Sequence, residues 1–254
     1  MTSPAEPVGP AGAGRRAELA RNLAAVRARV ADACAAAGRD VGEITLIAVT
    51  KTWPAADAAA LADLGLADLG ENRDQEAAPK AAAVAGLTSA RVSWHFIGQL
   101  QTNKAHSVVR YASVVHSVDR VRLVRALGSA HRAATAAATA TAAAPLTCLV
   151  QVSLDGDPTR GGALISQLPE IAAAIEAEQG LALGGVMAVA PLGVAPETAF
   201  ASLPAISDTA REISPTATII SAGMSGDLEA AVRNGATHLR IGTALLGNRS
   251  LPVL

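Results

Sequence analysis

The sequence predicts a single (β/α)₈ TIM barrel, and three observations predict it. Short apolar runs alternate with Ala-rich amphipathic segments along the chain, the apolar runs number eight, and the length is 254 residues. Strict alternation argues for a parallel sheet, and eight strands argue for its closure into a barrel. Such barrels take roughly 200–250 residues as one unit. An open doubly wound sheet is the competing arrangement.

The elements follow in order. Residues 1–14 are mostly Pro, Gly and Ala with no apolar core, so they read as a disordered lead-in rather than a secretory signal. The barrel domain is expected over residues 15–254, opening with a helix from Arg15 to Ala37 that Gly38 stops. Strand candidates are Ile44–Val49, Asp68–Gly70, Val92–Ile97, Val114–Ser117, Thr147–Val152, Leu183–Val189, Thr218–Ser221 and His238–Ile241. Helix candidates between them are Ala55–Leu64, Asp74–Val84, Gln101–Tyr111, Asp119–Ala138, Leu164–Gln179, Pro196–Glu212 and Asp227–Asn234. The Ala/Thr stretch from Ala133 to Pro145 reads as a helix tail running into a loop.

Composition narrows the function. Half the residues are hydrophobic and 2% aromatic, so the core is built from Ala, Val, Leu and Ile. With 21 basic and 22 acidic residues there is no basic stripe to suggest a nucleic-acid partner. No apolar stretch of membrane-spanning length stands out. Cys34 and Cys148 are too few for a disulfide framework, which points to a reduced, cytoplasmic setting. The histidines lack ligand spacing, so no metal is expected.

In a barrel, ligands bind where the strands end at their C-terminal side, and phosphates favour the loops after strands 7 and 8. Strand 1 delivers Lys51. Of the 21 basic residues only Lys51, Lys80 and Lys104 are lysines, so arginine serves wherever a generic charge suffices. Lysine forms imines, which arginine does not, and burial lowers its pKa enough to free the amine. Lys51 is therefore a Schiff-base candidate, with a snorkelling side chain or half an ion pair as the alternatives. Lys80 and Lys104 fall on helices, where a solvated face is expected. After strand 7, Ser221-Ala222-Gly223-Met224-Ser225-Gly226-Asp227 opens a helix, either as an anion site or as an ordinary cap. After strand 8, Gly242 allows close approach of a ligand and Thr243 adds a hydroxyl. Arg240 shares the face of Gly242 and reaches the same mouth, unless it pairs with a barrel carboxylate. Asn72, after strand 2, either meets a ligand ring or starts the next helix. His95 reads as a satisfied core histidine.

Together these segments resemble the PLP homeostasis protein family, also called the proline synthase co-transcribed family, which is related to the N-terminal barrel of alanine racemase. The matching stretches are Ile47-Ala48-Val49-Thr50-Lys51-Thr52, Gly70-Glu71-Asn72 with Gln75-Glu76, Trp94-His95-Phe96-Ile97-Gly98 with Leu100-Gln101 and Asn103-Lys104, Gly223-Met224-Ser225 with Asp227, and Arg240-Ile241-Gly242-Thr243-Ala244. They run in order over nearly the whole chain. The resemblance implies that Lys51 carries pyridoxal 5′-phosphate (PLP) as an internal aldimine. It implies that Ser225, Gly242 and Thr243 hold the phosphate, that Arg240 faces the pyridine nitrogen and that Asn72 lies beside the cofactor. A donor-only arginine there keeps the ring nitrogen unprotonated and weakens the ring as an electron sink.

The chain departs from the family pattern at Arg73-Asp74, at Gln99, and at Arg160, which stands where a second lysine is often found. The expected role is a PLP carrier or buffer that supplies apo-enzymes, with no turnover. An amino-acid racemase needs a second acid/base opposite the lysine, and the one tyrosine, Tyr111, precedes strand 4 at the wrong end of the barrel. No stretch remains for a racemase's second domain, which favours a monomer. A Schiff-base aldolase would need carboxylates at the strand ends, where Glu71 is the one obvious candidate.

Overall fold

A computed structural model describes residues 9–137, 144–157 and 161–248. Eight parallel strands close into a barrel in chain order. They are β1 Thr45–Val49, β2 Asp68–Glu71, β3 Ser93–Phe96, β4 Ala112–Val118, β5 Leu146–Gln151, β6 Leu181–Met187, β7 Ile219–Ser221 and β8 His238–Ile241. Closure is made by β1 on β8, with Thr45 opposite His238 and Ile47 opposite Arg240. All eight expected strands are present, and the short polar run at Asp68 is a strand buried between β1 and β3.

The helices are α1 Ala13–Ala37, α2 Ala55–Asp63, α3 Asp74–Ala85, α4 Ala105–Val108, α5 Val121–Ala137, α6 Leu168–Ala177, α7 Pro196–Phe200, α8 Leu203–Ile213, α9 Leu228–Arg233 and α10 Thr243–Leu246. Helix α1 buries Leu19, Leu23, Val26, Val30 and Ala33, a stripe spaced three or four residues apart. It packs on α2, α9 and α10. The helix after β8 is a single turn, so α1 closes the outer ring where α10 is too short to do so. Gly38 ends α1 in the left-handed conformation (φ 66°), with the Arg39 N–H returning to the Cys34 carbonyl. Each fully buried Leu or Val of this stripe is worth roughly 1.5–3 kcal/mol.

Two helix expectations are corrected. The segment Pro196–Glu212 is two helices, because Pro204 in the first turn of α8 has no N–H to continue the ladder from α7. The segment Gln101–Tyr111 is a 3₁₀ turn at Thr102–Lys104 followed by the four-residue α4. Of the expected lead-in, residues 1–8 lie outside the described residues and Ala13 and Gly14 are helical. Of the Ala/Thr stretch, residues 138–143 lie outside them, and Arg160 does too. No helix among the described residues is long and apolar enough to cross a membrane.

Most of the core lies between barrel and helices, where Ala48, Leu69, Phe96, Val115 and Val150 pack. The barrel interior differs, because polar groups share it. His95, His116, Ser221 and Arg240 are all buried there and hydrogen-bonded to one another in series.

Candidate functional site

The mouth at the C-terminal ends of the strands is built by β1, β3, β7 and β8. A cavity of about 310 Å³ there is lined by Val49, Lys51, Ile97, Met224, Ser225, Gly226, Arg240, Gly242 and Thr243. Five of the six predicted site residues thus share one cavity: Lys51, Ser225, Arg240, Gly242 and Thr243. The sixth, Asn72, lines a neighbouring cavity of about 160 Å³ with Arg73, Gln99 and Lys104. The two regions are in close contact at Gly98, where a Cβ would come within 2.0 Å of the Asn72 carbonyl oxygen. Only glycine lets the loops after β2 and β3 approach so closely.

Lys51 leaves β1 after Thr50 and stands exposed at the mouth. This corrects the expectation that burial frees its amine. Its base is fixed all the same. The Thr50 N–H donates to the Gly70 carbonyl (3.0 Å), and the Thr50 carbonyl accepts from Trp53 N–H (3.0 Å) and Lys80 Nζ (2.7 Å). Thr52 follows at φ 66°, a left-handed conformation that costs a β-branched residue of order 1–3 kcal/mol. The strained turn thus sits directly beside the amine.

Lys80 also departs from expectation. It is buried rather than solvated, and its Nζ lies 2.5 Å from Glu71 Oε1. Glu71 is fully buried, accepts also from Thr50 Oγ1 at 2.7 Å, and leaves Oε2 without a hydrogen-bond partner. This carboxylate is tied up behind the Lys51 strand.

The loops after β7 and β8 meet. Ser225 Oγ accepts from the Ala244 N–H at 3.2 Å, and Arg29 Nη1 and Nη2 both donate to the Ser225 carbonyl at 3.2 Å. Gly223, at φ 90°, turns the β7 loop where a Cβ would press on Ala231 and Leu239. At Gly242 a Cβ would find only ordinary contact with Val49. The fold itself therefore makes little demand for glycine there.

Arg240 is 4% exposed. Its Nη1 donates to Ser221 Oγ at 2.6 Å and its Nη2 to the Ala188 carbonyl at 2.9 Å. Burial pushes the guanidinium down to about 10, so it remains a cation at neutral pH. His95 is buried and bonded on both ring nitrogens, as a core histidine should be. Residues that sequence reasoning missed are His116, Ser221, Asp68 and the Lys80–Glu71 pair. The signal available for His116 and Ser221 was a polar residue within an apolar strand run, whereas Asp68 opens a run that is itself polar.

The group these residues would suit has an aldehyde, a phosphate and a planar ring bearing a nitrogen acceptor. An amine at one wall, two hydroxyls on touching small-residue loops, a buried donor-only cation and the aliphatic faces of Val49 and Ile97 fit such a group. Tyr111 lies apart, lining a different cavity with Ala78, Ala81 and Trp94, its hydroxyl 3.4 Å from Asp74 Oδ1.

Comparison with known proteins identifies the family and the fold. Residues 17–250 match the family described as alanine racemase, N-terminal domain. A relative named pyridoxal phosphate homeostasis protein from Mycobacterium tuberculosis is 46% identical over 248 residues, covering 93% of this chain and 95% of the relative. The protein of that name from Escherichia coli is 34% identical over 242 residues, covering 91% and 97%. Among solved structures, PipY of Synechococcus elongatus with PLP bound superposes with a TM-score of 0.76 at 29% identity, covering 90% of this chain and all of that one. Alanine racemase from Corynebacterium glutamicum gives a TM-score of 0.67 at 13% identity, with only 60% of it covered, and shares the fold alone. By descent as well as by architecture, this chain belongs to the pyridoxal phosphate homeostasis protein family, built on the alanine racemase N-terminal barrel.

Proposed function

We propose that this chain binds PLP as an aldimine on Lys51 and carries or buffers it for apo-enzymes, without turning over a substrate. The observation that carries the proposal is the single cavity uniting Lys51 with Ser225, Arg240, Gly242 and Thr243. The names of the relatives and the PLP-bound PipY structure support it. In that role Lys51 supplies the amine, Ser225 and Thr243 donate to the phosphate, and Arg240 directs N–H groups toward the ring nitrogen. When bound, PLP supplies an electrophilic aldehyde and an electron-withdrawing ring, and a donor-only partner at the nitrogen keeps that withdrawal weak.

Absence of turnover is supported by the position of Tyr111, at the entry to β4 and in a different cavity from Lys51. Two-base racemisation needs a second proton-transfer group facing the lysine, and the described cavity residues provide none. We further propose a cytoplasmic monomer, which size-exclusion chromatography and cell fractionation test. The decisive experiment is an absorbance spectrum of the purified protein before and after borohydride. A visible band that borohydride removes, with the cofactor trapped on Lys51, is expected. Lys51→Ala should lack the band, and a band that persisted in that variant would refute the anchor. Formation of a D-amino acid from L-alanine would refute the absence of turnover.

A further inference from the structure

Five polar side chains touch in series through the barrel interior. Arg240 Nη1 donates to Ser221 Oγ (2.6 Å), and Ser221 Oγ lies 2.9 Å from His116 Nδ1. His116 Nε2 lies 2.9 Å from His95 Nδ1, and His95 Nε2 lies 3.0 Å from Asp68 Oδ1. Each comes from a different strand: β8, β7, β4, β3 and β2. The four interior members are at most 4% exposed, and only the Asp68 side chain, at 35%, reaches solvent. Arg240 lines the Lys51 cavity near the end of its strand. Asp68 begins its strand and lines another cavity, of about 410 Å³, with Arg27, Thr45 and Leu66. The series therefore runs from the N-terminal rim of the barrel to its mouth.

With both imidazoles neutral, its ends fix its direction. Arginine only donates, and an ionised carboxylate only accepts. Ser221 Oγ, accepting from Arg240, donates its own O–H to His116 Nδ1. His116 then holds its proton on Nε2 and donates to His95 Nδ1, and His95 in turn donates from Nε2 to Asp68. Every N–H and O–H points away from the cation and toward the anion, so the bond dipoles align and favour both end charges. Ser93 Oγ, 3.3 Å from His95 Nε2, accepts a share of that last proton. The reversed direction would set the lone pairs of His95 Nε2 and Asp68 against each other at 3.0 Å. Burial keeps His116 neutral, aided by repulsion from His95, Arg240 and His238, which agrees with a neutral link.

We propose that this series is a positioning relay for Arg240. Asp68, His95, His116 and Ser221 hold the guanidinium in one orientation toward the ring-nitrogen position. Asp68, at the opposite rim, thereby becomes a determinant of how tightly the cofactor is kept. The proposal rests on the PLP reading of the cavity and deepens it.

Its first test needs no cofactor. In the full-length protein labelled with ¹⁵N-histidine, long-range ¹H–¹⁵N correlations should show His95 and His116 as neutral Nε2–H tautomers at pH 7. An Nδ1–H tautomer or an imidazolium at either position overturns the relay. The second test reads PLP retention and the visible absorbance maximum of the bound form in Asp68→Asn, with a thermal melt to confirm folding. Retention should weaken about three- to tenfold, since the amide oxygen can still accept from His95 but the charge-assisted bond becomes an ordinary one, and the maximum should shift. Retention within twofold of wild type with an unmoved maximum overturns the proposal. In a His116→Phe background the Asp68→Asn effect should vanish, and its persistence would mean that the charge acts through space. A wild-type protein with no PLP band at all would defeat the cofactor reading alone, and the tautomers would still decide the relay.

Discussion

Replacing Lys80 with Met keeps the aliphatic stem of the side chain and removes its charge. In the folded protein this deletes the 2.5 Å contact to Glu71 and the 2.7 Å bond to the Thr50 carbonyl. Glu71 is then a fully buried carboxylate held only by Thr50 Oγ1, with Oε2 already unpartnered. Breaking a buried pair from one side costs about 3–5 kcal/mol, chiefly because the remaining charge is uncompensated. For a domain of this size each kcal/mol moves the melting temperature by about 2–4 °C, so Lys80→Met should lower Tm by about 6–20 °C. The double variant Lys80→Met, Glu71→Leu removes both charges and should recover most of that loss, since an apolar replacement of a buried pair is often neutral. Urea unfolding of both single variants and the double variant closes the cycle. A single-variant loss below about 1 kcal/mol, or a double variant that loses the sum of the two singles, would refute the reasoning. PLP retention measured on the same proteins asks whether the pinned Thr50 carbonyl matters to Lys51, the next residue along.

Other expectations follow from the same structure. Desolvation lowers His238 from 6.5 to about 4, and burial also holds His116 low. Both gain protons more readily when unfolded, so each adds stability that is fully present above pH 6.5 and falls away below it, the His238 share being lost as the pH falls through about 4. For His238 alone this is about 3 kcal/mol. Urea midpoints at pH 7 and pH 4.5 measure the loss, and His238→Gln should flatten it. Gly98→Ala drives a methyl group into the Asn72 carbonyl. It should cost about 1–3 kcal/mol by thermal melt and displace the loops after β2 and β3. Thr243→Ala and Ser225→Ala should each weaken PLP retention by about 1.5–3 kcal/mol, as expected for a hydrogen bond to a charged group; the melt of the cofactor-free protein should stay close to wild type for Thr243→Ala and fall for Ser225→Ala, which also loses the bond from the Ala244 N–H. Arg240→Met should weaken retention and also destabilise the protein, since it leaves Ser221 Oγ and the Ala188 carbonyl without their donor.

The barrel was legible because its signal is local and repeated. Each strand is a short apolar run and each helix an amphipathic one, and eight repeats leave few ways to close. The boundaries that slipped did so for local reasons, as at Pro204, whose missing N–H splits one expected helix into two. The site was legible in part because geometry confines ligands to one end of the strands. Reading the strand ends and the residues just past them found Lys51, Ser225, Arg240, Gly242 and Thr243, which share a cavity.

Environment was not legible in the same way. Helical position could not show that Lys80 turns inward onto Glu71, nor that Lys51 remains exposed at the rim, because burial depends on what a neighbouring element places against a side chain. By itself the sequence determined the alternation, the strand count and the order of residues at the mouth, all of which follow from nearest-neighbour periodicity and steric rules. Only the tertiary structure decided that Asp68, His95, His116, Ser221 and Arg240, spread over 173 positions of chain, form one hydrogen-bonded line. Closing the barrel brings their strands to face one another across its axis, and side-chain directions across a closed sheet are set by register and stagger, not by sequence separation.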